Sequence, residues 1–205
     1  MPADTLTNPR KTPIQARFSA AVEAILEAAA RILESEGLEG YTTNAIAKRA
    51  GVSIGSLYQY FPNKDAVTAA LVRADTEEMA AAMEAVMVAY EGRPVRDCIE
   101  ALVEVAVCHQ FDRPMLARLI DLEEHRLGRD FGMEAARERM IGVVRRLLEN
   151  SRLDLPFDLE TVTQDLFALS HGITDAAGMK GETDRAHLNA RIRHAILSYL
   201  GVPAS

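Results

Sequence analysis

Thr42–Lys64, TTNAIAKRAGVSIGSLYQYFPNK, is the stretch whose reading decides the fold of this chain. It reads as two short helices joined by a tight turn, then a stop and a new helix start. Thr42 is a good N-cap, because its hydroxyl can accept a hydrogen bond from a free backbone N–H. Ile46, Ala47 and Ala50 give the first helix one apolar face. Gly51 tolerates positive φ and ends it. Ser53 caps a second helix running to about Tyr60, with Val52 and Leu57 turned inward. Ser56, Tyr58, Gln59 and Tyr60 present polar groups outward, and Gly55 permits close backbone approach. Pro62 closes the helix, Asn63 caps the next, and Lys64 sits in its first turn. This is the layout of a helix-turn-helix, a module that places its second helix in the DNA major groove.

Outward from this window the pattern is helical throughout. Residues 1–16 are polar and Pro-containing and read as a solvated arm; their Arg10 and Lys11, with the adjoining Arg17, also suit a minor groove. A first helix is expected from about Arg17 to Glu36, with Phe18, Val22, Ile25, Ala29 and Ile32 as one stripe. Gly37 ends it, and Tyr41 helps fill the three-helix core. A long helix is expected from Asn63 to about Tyr90. Others follow at about 95–110, 114–127, 132–150, 158–179 and 184–200, separated by Pro114, Gly128–Gly132, Pro156 and Gly178–Thr183. No β-branched alternating run has strand length. The expected fold is all-α, with an arm at 1–16, a DNA-binding domain at 17–64 and a helical regulatory and dimerisation domain at 65–205.

Composition agrees with an ordinary globular protein: 205 residues, 48% hydrophobic and 26% charged. The net charge of −7 looks wrong for a DNA binder, but its distribution matters more. Residues 1–64 carry seven Lys/Arg against six Asp/Glu, whereas 65–205 carry sixteen against twenty-four. The acidic part repels DNA and helps orient the N-terminal face toward it. Cys98 and Cys108 form no CxxC or zinc pattern and read as free buried thiols. No secretory signal and no membrane-length apolar run is visible, so a cytoplasmic location without a membrane partner is expected.

The helix-turn-helix window resembles the TetR family of bacterial transcription regulators. The likeness rests on the Thr-Thr start at Thr42, IAKRAGVS at Ile46–Ser53, GSLYQYF at Gly55–Phe61 and PNKDA at Pro62–Ala66. It extends by motif over roughly Phe18 to Leu71. The resemblance implies that Thr43 and Asn44 also reach DNA and that Lys64 pairs with a phosphate. Asn44 and Gln59 carry the paired donor and acceptor that read adenine, and hydroxyls of Thr43, Ser56, Tyr58 and Tyr60 suit phosphates. With Ser53 and Gly55 these make the DNA-facing set. A bland alternative for Tyr58 is a core aromatic. The resemblance further implies a homodimer on a pseudo-palindromic duplex, and a small-molecule effector.

The C-terminal half offers two more constellations. Val103, Val107, Phe111, Met115, Leu119, Met140, Val144 and Phe167 either line an apolar ligand cavity or form plain core. His109, Gln110, Arg118 and His171 are then available to orient a guest. His109 beside Cys108 and near Glu104, and His171 with Asp175 one turn on, lack a third ligand fixed by spacing. They read as hydrogen-bonded core histidines rather than a metal site. Val162, Leu166, Leu169 and Ile173 form one stripe, and Leu188, Ile192, Ala195 and Tyr199 another. Small residues Gly172, Ala176, Ala177 and Gly178 allow close helix approach. Intrachain packing explains the stripes. So does the dimer interface that the resemblance implies for this helix pair, with Ala177 in it. No catalytic constellation, metal or cofactor is expected. The favoured reading is a repressor released by a small hydrophobic or amphipathic ligand. The alternatives are a ligand-independent architectural or nucleoid-associated DNA binder and an all-α enzyme carrying a DNA module.

Overall fold

The computed structural model describes residues 13–119 and 133–203. The expected arm contacts of Arg10 and Lys11, the end of the helix expected at 114–127 and the Gly128–Gly132 break lie outside the described residues. The helices that can be bounded at both ends are α1 (Pro13–Gly40), α2 (Thr43–Ala50), α3 (Ile54–Tyr60), α4 (Lys64–Ala89), α5 (Val95–Asp112), α6 (Glu134–Asn150), α7 (Leu159–Lys180) and α8 (Arg185–Tyr199). A further helical stretch occupies 114–119. Among the described residues there is no strand, and no helix is long and apolar enough to cross a membrane. The fold is all-α.

Two compact units partition the chain, 1–71 and 72–205. In the first, α1 starts at Pro13 rather than Arg17, because proline fits a first helical turn whose N–H groups are free anyway. Gly37, at φ 65°, breaks its helical geometry near the C-terminal end. Ile25, Ala29 and Ile32 of the α1 stripe are sealed from solvent with Leu33, Tyr41, Ile46 and Leu57. Burying a side chain such as Ile46 or Leu57 contributes roughly 1.5–3 kcal/mol. Phe18 departs from its expected place in that stripe. It is 56% exposed and meets Tyr60 edge-on, ring centroids 5.0 Å apart.

The second unit packs α5 against α7 and α8, with α6 on α7. Its core draws on every one of these helices, and on Ala80 and Met83 of α4. Capping fixes where the helices begin. Asp158 Oδ1 accepts from Thr161 N–H at 3.0 Å and starts α7. Asp184 Oδ1 accepts from His187 N–H at 2.9 Å and starts α8. Tyr199 donates its hydroxyl to Asp165 at 2.5 Å, tying the end of α8 to α7. That bond holds the phenol proton and pushes its pKa up to about 12. Cys98 is buried and Cys108 half-buried, and both are free thiols.

Candidate nucleic-acid interface and cavity

The α2–α3 segment is built by its caps. Thr42 Oγ1 accepts from Ala45 N–H at 3.2 Å. At the other end Gly51 is left-handed (φ 70°, ψ 25°), a conformation that favours glycine. There the Gly51 N–H reaches Lys48 O at 3.3 Å and the Val52 N–H reaches Ala47 O at 3.0 Å. This paired closure satisfies carbonyls that α2 would otherwise leave free. Ser53 Oγ then accepts from Ser56 N–H at 3.0 Å and starts α3. Phe61 N–H returns to Leu57 O at 2.9 Å, and Asn63 Oδ1 caps α4 through Ala66 N–H at 2.8 Å.

These closures sort the side chains of α3. Leu57 is fully buried, while Tyr58 is 48% exposed. Gln59 and Gly55 are exposed; Ser56 and Tyr60 are half-buried. On α2, Asn44 is exposed and Thr43 half-buried, and Lys64 is exposed at the start of α4. The structure brings Thr43 and Tyr58 together, their hydroxyls 3.3 Å apart. Tyr58 is therefore not a core aromatic. Ser53 is exposed, but its hydroxyl is occupied: besides capping, it hydrogen-bonds Ser56 Oγ at 2.8 Å. The Lys64 ammonium stands 5.7 Å from the centroid of the Tyr41 ring, and Tyr41 bonds Thr68 through hydroxyls 3.2 Å apart. The result is a short, capped helix with an open amide and a flanking row of hydroxyls. Those are the groups that read base edges and grip phosphates.

The second constellation is a cavity of about 170 Å³ within the second unit. Seven expected residues line it: Val103, His109, Gln110, Met140, Val144, Phe167 and His171. Five do not. Val107 is fully buried in core, and Phe111 lies beyond it on the same side of α5. The cavity arc of α5 is instead Ile99, Leu102, Val103, Ala106, His109 and Gln110. Met115 and Leu119 also miss the wall; from their stretch Ala117 lines it. Arg118 is exposed and not on the wall either. Sequence reasoning missed the contribution of α4, namely Asp75, Thr76, Met79 and Met83. Their spacing of three and four residues was the available signal.

Two His–Asp pairs sit in this wall. His109 Nε2 lies 2.6 Å from Asp75 Oδ2, joining α5 to α4. His171 Nδ1 lies 2.7 Å from Asp175 Oδ2 within α7. Burial alone would lower the His109 pKa, but the Asp75 carboxylate, helped by Glu78 and Asp112, outweighs it and raises the value. The Phe167 ring stands 6.1 Å from His171 and carries the Arg137 guanidinium at 4.9 Å. Among the described residues no three His, Cys, Asp or Glu side chains converge as a metal site.

The stripes assigned to a dimer interface need correction. Val162, Leu166, Ala177, Leu188 and Ile192 are buried within the single chain, between 0 and 4% exposed. A side chain already enclosed by its own fold has no surface left for a partner. Leu169, Ile173 and Tyr199 are half-buried and pack against the same core, and Ala195 is half-buried.

Comparison with known families matches residues 25–71 to a model of bacterial regulatory proteins of the tetR family, and residues 94–200 to a tetracyclin repressor-like C-terminal domain. The chain belongs to the TetR family. It is therefore a TetR-family transcriptional regulator, and its helix-turn-helix is the family's DNA-binding module. Solved structures share the fold. A putative TetR-family transcriptional regulator from Mesorhizobium loti aligns with TM-score 0.72 at 21% identity, covering 94% of this chain and 98% of that one. The fatty acid degradation regulator FadR from Bacillus halodurans gives 0.69 at 21% identity, covering 85% and 97%. FadR from Bacillus subtilis, in complex with stearoyl-CoA, gives 0.70 at 17% identity, covering 86% and 98%. No curated protein matches the sequence.

Proposed function

We propose that this TetR-family chain is a homodimeric repressor that binds a pseudo-palindromic operator through α2 and α3 and is released by a small apolar or amphipathic effector. The observation that carries the reading is the cavity: an apolar pocket lined by α4, α5, α6, α7 and α8, with polar groups gathered at two His–Asp pairs. A plain architectural DNA binder has no use for such a space. Thr43, Asn44, Gly55, Ser56, Tyr58, Gln59, Tyr60 and Lys64 form the DNA-facing set. Gln59 and Asn44 read base edges, and the hydroxyls with Lys64 hold phosphates. Ser53 serves by holding α3 in shape.

The dimer surface belongs on the outward faces of α7 and α8. Gln164, Ala168, Gly172 and Met179 are exposed on α7, and Ala186, Ala190 and His194 on α8. Small residues there let two helix pairs approach closely, and a twofold dimer matches two recognition helices to two half-sites. Effector binding shifts the population toward conformers that fit DNA poorly, by the difference in its affinity for the two states. The test is duplex selection from a random pool, followed by anisotropy titration with the selected duplex across salt concentrations and with candidate effectors. A salt-sensitive, sequence-selective dimer complex that weakens on effector binding is the expected result. Failure to select any duplex over random DNA overturns the operator reading.

A further inference from the structure

Resting on the cavity as the effector site, we propose that its ligand is a compact organic cation: about one aromatic ring carrying a single protonated amine. Size comes first. The cavity holds about 170 Å³, and an apolar cavity of about 150 Å³ accepts benzene. A ring with a short aminoalkyl arm fits such a space.

Charge selects the sign of the guest. Asp75 and Asp175 both reach the wall, and among the described lining residues there is no lysine or arginine. Among the described residues the two carboxylates are each paired with an imidazole. Imidazolium is the one side-chain cation that can leave without moving, by giving up its proton near neutral pH. A cationic guest can thus replace the histidine charge beside Asp75. An anionic guest would meet two carboxylates in a medium of low dielectric, with no lysine or arginine among the described lining residues to pair with; the Arg137 guanidinium is engaged with the Phe167 ring 4.9 Å away.

The third observation is independent of net charge. Asp75 is nine-tenths buried, and its Oδ2 is shut off from solvent, as is His109 Nε2. The two atoms stand 2.6 Å apart, and among the described residues neither has another partner. A buried carboxylate whose one described partner is a titratable imidazole is costly once that imidazole loses its proton, and a guest ammonium supplies three donors. Met79, Met83 and Phe167 supply the polarizable and aromatic surface that favours a ring and its attached charge.

Proton linkage follows. His109 faces Asp75 and Glu78 from α4 and Asp112 from its own helix. His171 and Asp175 share the cavity wall from α7. Guest binding at Asp75 releases the His109 proton, so affinity rises with pH until His109 is neutral, by up to about tenfold per pH unit.

The test is calorimetric titration of the full chain with benzylammonium, benzyl alcohol and benzoate at matched ionic strength between pH 5.5 and 8. Benzylammonium is expected to bind at least ~10-fold tighter than the other two. Asp75→Asn should abolish that preference. His109→Gln should keep the preference and flatten its pH dependence. Equal or tighter binding of benzoate or benzyl alcohol overturns the proposal. So does the absence of binding by all three, or a preference that survives in a folded Asp75→Asn variant. Anisotropy with the selected duplex separates the two readings. If benzylammonium binds with the expected preference and DNA affinity is unchanged, the ligand class stands and the effector role falls. If benzoate binds and releases DNA, the effector role stands and the cation proposal falls.

Discussion

Replacing Ser53 by alanine removes one hydroxyl and separates two roles. The hydroxyl accepts from Ser56 N–H at 3.0 Å and bonds Ser56 Oγ at 2.8 Å, so two of its three hydrogen-bonding positions are used inside the chain. Losing an N-cap hydroxyl costs about 1 kcal/mol, within a range of roughly 0.5–2. α3 has seven residues, and so short a helix depends on its ends. A loss of about 1 kcal/mol corresponds to about a fivefold increase in local opening, and bounds the loss of DNA affinity at about the same factor. The assay is hydrogen exchange on the free protein, following the peptide over 54–60, with DNA affinity measured in parallel. Exchange there should quicken about fivefold without change in the second unit, and Ser53→Thr, which keeps the acceptor, should restore both readings. Unchanged exchange over 54–60 with a large loss of DNA affinity would refute the capping argument and place the hydroxyl on the DNA.

Lys64→Ala should weaken binding to selected and random duplexes alike, because a phosphate contact carries little sequence information, whereas Gln59→Ala should relax base preference; repeat selection with each variant reads the difference. Ile192→Asp should unfold the second unit, losing at least the ~2–5 kcal/mol of an alanine truncation at a fully buried site, visible as loss of the cooperative thermal transition. Gly172→Glu should instead leave a folded monomer by sedimentation, since a Cβ there meets nothing within 4 Å in the single chain. The second unit should also lose stability as pH rises. The folded His109 pKa lies above the ordinary ~6.5, so its contribution is complete below that value and disappears as pH passes the raised one. Thermal melts from pH 6 to 8 should show this fall, and Asp75→Asn should flatten it.

What the chain discloses before its structure depends on how local the physics is. Residues 42–64 are legible because each decision there is made within a few residues: the Thr42 cap, the left-handed Gly51, the Ser53 cap and the Asn63 cap. Helix ends elsewhere follow the same rule, as at Asp158 and Asp184. Phe18 shows its limit. Its spacing continues the α1 stripe, but the residue lies beyond the reach of the three-helix core and rests on Tyr60 instead. The cavity was half legible for a related reason. Apolar residues on α5 announce an inner face, but whether one lines space or core depends on an arc a few residues wide. Val103 falls on the cavity side and Val107 on the solid side.

The helix pair α7–α8 carries the deeper lesson, because there two physical readings share one pattern. A stripe of large apolar residues marks the face that leaves water, whether into the chain's own fold or into a partner. Val162, Leu166, Leu188 and Ile192 are large, evenly spaced and fully claimed by intrachain packing. A surface that must stay soluble before assembly, and then pack closely afterwards, favours small or moderately polar groups instead. Gln164, Ala168 and Gly172 on α7, with Ala186 and Ala190 on α8, have that character and remain exposed. The large-residue stripe is therefore spent within the chain, and the small-residue face opposite it is where we place a second copy. Gly172→Glu and Ile192→Asp test that inversion directly. The exposed change should alter assembly and spare the fold, and the buried change should destroy the fold itself. If Gly172→Glu stayed dimeric and folded, the outward face of α7 would lose its role, and the twofold axis would have to be sought on another surface.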